Sequence, residues 1–253
     1  MTAVPKKELG QHFLVDENIL GVIGRLAELE PADVVLEVGP GLGVLTRYLA
    51  ARVAWVHAAE IDRSLERGLQ GIPRTTLHWG DALALEPSSL DPPPGKLVAN
   101  LPYNVATPLV VESLDRYPDV RLWCVMVQRE VADRFFAVPR TKAYGAVSVL
   151  VQLATERTGF HAVSREVFRP RPNVDSALVA FRRTSPGIDP AVRRVVDACF
   201  AHRRKTLANS LALSGVSSRQ GAGAALEAIG RGPAARAEEL APPEFVALAA
   251  ELS

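Results

Sequence analysis

Between Val34 and Ala51 a short β-branched run, Val34 to Val38, passes straight into Gly39-Pro40-Gly41-Leu42-Gly43, and helical composition begins at Val44. A glycine-rich turn in that setting lets the backbone come close to a ligand and aims helix N-terminal amides at it. The turn alone is shared by nucleotide-binding proteins and by purely structural corners. Its constraint on the fold is stronger, because strand, tight turn and helix in succession open a β-α-β unit. Val56 to Ile61, Thr75 to Trp79, Lys96 to Ala99 and Val120 to Val127 read as further strands, with helical patterns between most of them. Thr158 to Val163 and Ser176 to Arg182 read as a pair that closes the sheet antiparallel, which predicts a seven-stranded α/β sheet.

From about Asp189 the periodicity turns helical, with Val192, Val195, Val196, Cys199 and Phe200 spaced to build one apolar face. Pro186-Gly187 supplies the break before it, and Phe245, Leu248 and Leu252 continue the helical period near the end. The expected organisation is a sheet domain over residues 1–185 and a small helical C-terminal domain over residues 186–253. With 48% hydrophobic and 23% charged residues the chain can bury a sizeable core. No apolar stretch reaches the roughly 18 to 20 residues of a membrane span, and no secretory h-region opens the chain, so a cytoplasmic protein with no membrane partner is expected. Cys124 and Cys199 are the only cysteines, which supports neither a disulfide framework nor a metal site.

Charge is distributed unevenly along the chain. Residues 1–120 hold 10 Lys and Arg against 16 Asp and Glu, whereas residues 121–253 hold 19 against 12. Basic clusters recur at Arg182-Arg183, Arg193-Arg194 and Arg203-Arg204-Lys205, a footprint suited to a phosphate backbone. Solvated helix faces carry arginine too, so Arg203, Arg204 and Lys205 are candidate RNA contacts beside two plainer readings, an exposed helix face and a join between domains.

Two strand ends add chemistry to the glycine turn. Glu60 closes the second strand, where a carboxylate can accept from both hydroxyls of a ribose such as that of NAD or S-adenosylmethionine. Asp81 follows the third strand, placed either to accept from an adenine amine or simply to cap a helix. The fourth strand ends in Asn100-Leu101-Pro102-Tyr103. An adenine N6 amine is a poor nucleophile because its lone pair is delocalised into the ring. Acceptors around its two N–H bonds, the Asn100 side-chain oxygen and the Leu101 carbonyl held by the rigid Pro102 turn, would draw the nitrogen towards a pyramidal geometry. Tyr103 offers a face on which a flipped base can stack.

At these residues the chain resembles the KsgA-type small-subunit rRNA adenine N6,N6-dimethyltransferases, over nearly its whole length. The likeness is carried by Lys7-Glu8-Leu9-Gly10-Gln11-His12-Phe13-Leu14, by Glu37 to Gly43 and by Asn100 to Tyr103. Met126 to Ala132, Tyr144 to Ser148, Phe168 to Ala177 and Phe200 to Leu207 extend it. The resemblance implies a Rossmann-like methyltransferase sheet with S-adenosylmethionine contacts at His12, Leu14, Gly39, Glu60, Asp81 and Asn100. Asn is expected where His12 stands, which leaves open whether side chain or backbone makes that contact. The family also implies that Phe168 meets the target base opposite Tyr103, although the residue reads equally as a core Phe before a Pro-rich turn.

The mechanism implied by this resemblance is direct in-line transfer of a sulfonium methyl to adenine N6, repeated once on the monomethylated base. No strong general base is required before transfer, because the sulfonium charge is neutralised in the step. The implied substrate is a pair of adjacent adenosines near the 3′ end of small-subunit (16S) rRNA, in an assembling ribosomal particle, and the enzyme is expected to act as a monomer. Two rivals remain: a large-subunit rRNA methyltransferase giving macrolide-type resistance, against which Phe168 to Ala177 and Phe200 to Leu207 speak, and a non-catalytic assembly or transcription factor, against which the intact Asn100 to Tyr103 speaks.

Overall fold

The computed structural model describes residues 11–253. The part of the N-terminal motif at Lys7 to Gly10 lies outside them. Contacts group the chain into two units, the described part of Met1–Ala132 with Glu156–Arg183, and Asp133–Thr155 with Thr184–Ser253. The last crossing, at 183/184, falls beside the division expected from the sequence. Residues 133–155, which the sequence pattern assigns to the sheet domain, group instead with the C-terminal helices.

The first unit is built on β2 (Val34–Val38), β3 (Trp55–Glu60), β4 (Thr75–Trp79), β5 (Lys96–Asn100), β6 (Leu122–Gln128), β7 (Thr155–Val163) and β9 (Ser176–Arg183). These seven strands lie in the order β4-β3-β2-β5-β6-β9-β7. From β4 to β6 every pairing is parallel, and β9 joins β6 antiparallel, with Val125 opposite Val179. Parallel strands need both faces covered, and the sequence supplies this: Leu122 to Val127 are buried without a polar interruption. Chain direction reverses across the sheet between β2 and β5, because β3 and β4 build outward on one side and β6 on the other. At such a switch point the loops leaving the strand ends diverge and open a crevice.

A second sheet of two strands, β1 (Phe13–Leu14) and β8 (Phe168–Arg169), pairs Leu14 with Phe168. Between the strands run α1 (Asn18–Leu26), α2 (Val44–Ala50), α3 (Glu66–Leu69) and α4 (Ala106–Arg116), and α5 (Arg129–Phe135) leads out of the unit. Several strand limits differ by one to three residues from the sequence expectation. β3 stops at Glu60 and leaves Ile61 54% exposed, β6 begins at Leu122, and β7 begins at Thr155 directly after a helix.

The second unit comprises α6 (Ala146–Ala154), α7 (Pro190–Ala201), α8 (Leu207–Leu213), α9 (Arg219–Ala228) and α10 (Pro242–Glu251). Val192, Val195, Val196 and Cys199 bury the expected face of α7. Phe200 stacks on Phe245 at 5.7 Å, and the Tyr144 hydroxyl donates to the Leu240 carbonyl at 2.7 Å. Apolar α6, with Val149, Leu150 and Val151 buried, packs on α7 and α10, which is why residues 133–155 belong here. No helix among the described residues is long and apolar enough to cross a membrane.

Arg183 shows how a basic side chain is used inside the fold. Its guanidinium donates to the carbonyls of Leu114, Tyr117 and Val120 at 2.7–3.0 Å and lies over the Trp123 ring at 4.9 Å. Two of those carbonyls belong to the end of α4 and the residue after it, which have no partner within the helix. Replacing Arg183 by Met keeps the stem and removes the donors, so it should lower stability by about 2 to 3 kcal/mol. Denaturant unfolding of the full chain checks this, and an unchanged midpoint would show that these bonds contribute nothing net.

Candidate active site

Gly39, Gly41 and Gly43 take φ values of +73°, +58° and +75°, in the region that glycine enters without steric cost. Space tells against a side chain at the first two as well. A Cβ on Gly41 would stand 2.9 Å from the Phe13 ring, and one on Gly39 3.2 Å from the Pro102 ring. The turn is thereby pressed against β1 on one side and the Asn100 to Tyr103 segment on the other, with α2 starting at its far end.

Glu60 lies at the end of β3, buried, with Oε2 accepting the Gly41 N–H at 3.2 Å and Oε1 the Asp62 N–H at 2.8 Å. Burial raises its pKa, and these backbone donors oppose the rise. They hold the carboxylate in place without exhausting its roughly four lone-pair sites. Asp81 caps the turn after β4, accepting from the Leu83 N–H at 2.9 Å, so the plainer role expected from sequence is real. It also lines a pocket of about 470 Å³ with Glu60, Ile61 and Pro102. Gly39, Glu60, Ile61 and Pro102 belong as well to a neighbouring cleft of about 690 Å³, which His12, Leu14, Glu37, Asn100, Leu101 and Tyr103 also line. The two are one crevice at the switch point of the sheet.

Asn100 is the last residue of β5, and its Nδ2 donates to the His12 carbonyl at 3.1 Å. With the NH₂ end committed, the amide's Oδ1 is the acceptor turned to the other side. The Leu101 N–H donates to the Met126 carbonyl at 3.0 Å, which fixes the peptide after the strand. Tyr103 is half-buried, its hydroxyl 2.6 Å from the Ser176 Oγ, and burial raises its pKa. His12 sits beside it, with ring centroids 5.2 Å apart.

Two expectations change. Phe168 is fully buried in the core with Phe13, Leu14 and Leu178 and lines neither pocket. Its pairing opposite Leu14 turns it inward, the arrangement of the core Phe that the sequence also allowed. Arg203, Arg204 and Lys205 are exposed but occupy the turn between α7 and α8 instead of a helix. Arg203 is tied down there, donating to the carbonyls of Tyr144 at 3.0 Å and Lys142 at 3.3 Å.

Sequence reasoning gave no role to Glu37, Gln11 or Ser176. Gln11 donates to Asp62 Oδ2 at 3.0 Å and so holds the N-terminal segment over the crevice. Glu37 is the most informative of the three. It lies 1% exposed in β2 and lines the crevice, and its Oε2 has no hydrogen-bond partner among the described residues. Burial pushes its carboxyl up to about 8, with the nearby Thr46 hydroxyl opposing the rise and the Glu60 carboxylate adding to it. The available signal was a lone acid inside an apolar strand, a placement that costs free energy unless a cationic group answers it.

A glycine cradle, a carboxylate pair and an unanswered buried acid fit a cofactor that carries a ribose and positive charge. Together with the switch-point crevice of this sheet, they define the class of Rossmann-like, S-adenosylmethionine-dependent methyltransferases. Residues 4–241 match the ribosomal RNA adenine dimethylase family, and the chain belongs to that family of rRNA methyltransferases. It is 45% identical, over its whole length and 97% of the relative, to ribosomal RNA small subunit methyltransferase A of Rubrobacter xylanophilus. Identity to the Leifsonia xyli protein of the same name is also 45%, over 97% of this chain and 92% of that one. Among solved structures, a dimethyladenosine transferase from Plasmodium falciparum shares the fold at a TM-score of 0.78 and 24% identity, covering 94% of this chain and 96% of that one. The 23S rRNA methyltransferase ErmE aligns at 0.65 and 31% identity, covering 95% of this chain and 99% of its own.

Glu37 generates a pH prediction. Its folded-state pKa lies above the ordinary 4.5, so its contribution to stability is fully present below about pH 4.5 and is lost as pH rises through about 8. Glu37→Gln removes the titrating group and should flatten that decline of cofactor-free stability. Unfolding midpoints measured from pH 5 to pH 8.5 check this; parallel curves for the two proteins would contradict it.

Proposed function

We propose that this chain dimethylates the N6 amines of two adjacent adenosines near the 3′ end of small-subunit rRNA, using S-adenosylmethionine. The observation that carries the reading is Asn100: its Nδ2 is held by the His12 carbonyl, and its Oδ1 remains to accept from an amine in the crevice. The cofactor supplies an electrophilic methyl group on a sulfonium. Glu60 would bind the ribose hydroxyls, Asp81 the adenine amine, and Glu37 would answer positive charge, with Gly39, His12 and Leu14 forming the adjoining walls. Asn100 Oδ1 and the Leu101 carbonyl accept from the target N–H bonds and return the lone pair to N6. Tyr103 carries the base, and Pro102 keeps the carbonyl in position. The same arrangement accepts the monomethylated base for the second transfer.

The small-subunit rRNA is favoured over large-subunit rRNA because the 45% identical relatives bear the small-subunit name, against 31% identity to ErmE. A non-catalytic role is disfavoured by the intact crevice. The substrate in this reading is rRNA within an assembling particle, met by a monomeric enzyme in the cytoplasm. The sheet unit carries the chemistry, and the helical unit contributes basic surface.

Paired substitutions separate binding from chemistry. Glu60→Ala should weaken S-adenosylmethionine about tenfold or more, since two hydroxyls lose a charged acceptor. Asn100→Ala should leave that affinity largely in place and lower single-turnover transfer by about 10² or more, because its interaction is made in the transition state. Transfer by the Asn100 variant near the wild-type rate would defeat the reading.

Arg204 and Lys205 are the members of the basic turn proposed to meet rRNA phosphates. Replacing both by Ala should weaken particle binding and reduce the slope of log affinity against log salt by about 1 to 2, through lost counterion release. Cofactor affinity should stay constant. An unaltered slope would make the turn structural throughout.

A further inference from the structure

We propose that the His12 side chain is a positioning residue for methyl transfer: its ring clamps the N-terminal segment to Pro170, while its carbonyl sets the Asn100 amide. The inference rests on the function proposed above and concerns atoms that this function does not itself assign.

The antiparallel register pairs Phe13 with Arg169 and Leu14 with Phe168, and the Val15 N–H donates to the Val167 carbonyl at 2.9 Å. One step further along, that register sets His12 opposite Pro170. Backbone bonds in an antiparallel pair skip alternate positions, and with Val15 and Val167 a bonded pair, His12 and Pro170 share none through the backbone. The side chain takes over: His12 Nδ1 lies 2.8 Å from the Pro170 carbonyl oxygen. A carbonyl only accepts, which makes Nδ1 the protonated nitrogen and leaves the Nε2 lone pair facing away from the bond.

Two catalytic groups hang on the same residue. The His12 carbonyl holds Asn100 Nδ2 at 3.1 Å, and its ring packs 5.2 Å from Tyr103 at an interplanar angle of 32°. Where the clamp holds His12, the Asn100 amide and the Tyr103 ring are held with it. Asparagine, the residue the family resemblance leads one to expect here, has an N–H donor the same number of bonds from Cβ as histidine Nδ1. Both side chains can bond a carbonyl at that reach. Histidine and asparagine are then two solutions to one requirement, a side-chain donor facing the Pro170 carbonyl, and the cofactor need touch only the backbone.

The test compares His12→Phe, which keeps a ring and loses the donor, with His12→Asn, which keeps a donor and loses the ring, both in the full chain. Single-turnover transfer to small-subunit particles lacking the modification should fall about tenfold or more in His12→Phe and return to within about threefold of wild type in His12→Asn. S-adenosylmethionine affinity should change less than about twofold in either, by the same separation of binding from chemistry. Nitrogen NMR of histidine-labelled, cofactor-free protein should show His12 protonated at Nδ1. Full activity in His12→Phe, equal impairment in both variants, or an Nε2–H tautomer would each overturn the clamp. Absence of transfer by the wild-type enzyme would instead strike the proposed function, and the tautomer would still decide the role of His12.

Discussion

The crevice exists because three stretches of backbone approach more closely than side chains permit. Gly41 lies against the Phe13 ring, where a Cβ would collide, and Gly39 against Pro102, where one would be crowded. This contact brings the N-terminal strand, the cofactor turn and the Asn100 to Tyr103 segment to one place, although they lie up to 90 residues apart in the chain. Sheet topology creates the opportunity, since β2 and β5 are neighbours whose following loops part. Glycine makes the opportunity usable. Conformation alone would already favour glycine at the positive φ values, so at Gly39 and Gly41 two independent constraints fall on the same residues.

Within that frame the electrostatics are unbalanced in one direction. Glu37 and Glu60 are both buried at the crevice, both shifted upward by burial, and Glu37 Oε2 has no partner among the described residues. A fold selected for stability alone would have an apolar residue here in β2, as at Leu36 and Val38 on either side. Retaining an acid there destabilises the empty protein and favours whatever cation enters. The stability cost and the binding function are the same interaction seen in two states.

Much of this was legible in the sequence because it is local. The strand Thr75–Trp79 and the turn after Val38 are written in consecutive residues, and Glu60 and Asn100 sit at strand ends that the alternation of patterns marks. The two-residue strands β1 and β8 were not legible, since each is too short to show a period and exists only because the other is present. For the same reason Phe168 could be read either as a base-facing ring or as core, and its burial was decided by a partner 154 residues away, Leu14. Residues 133–155 group differently by contact than by sequence for a related reason: an apolar helix such as α6 is compatible with either unit, and only packing, here on α7 and α10, groups it.

Basic clusters illustrate the limit most sharply. Counting charges treats every arginine alike, yet the guanidinium is also the side chain best shaped to satisfy carbonyls that secondary structure leaves over. Arg183 serves three such carbonyls, Arg203 two, and Arg182 pairs with Glu28 at 2.7 Å. Bonds to carbonyls leave the charge in place but fix its position, whereas pairing with a carboxylate cancels its field at a distance. The excess of positive charge after residue 120 therefore overstates what a phosphate backbone would meet. In the turn after α7 the Arg203 charge is fixed in place by two carbonyls, with exposed Arg204 and Lys205 beside it.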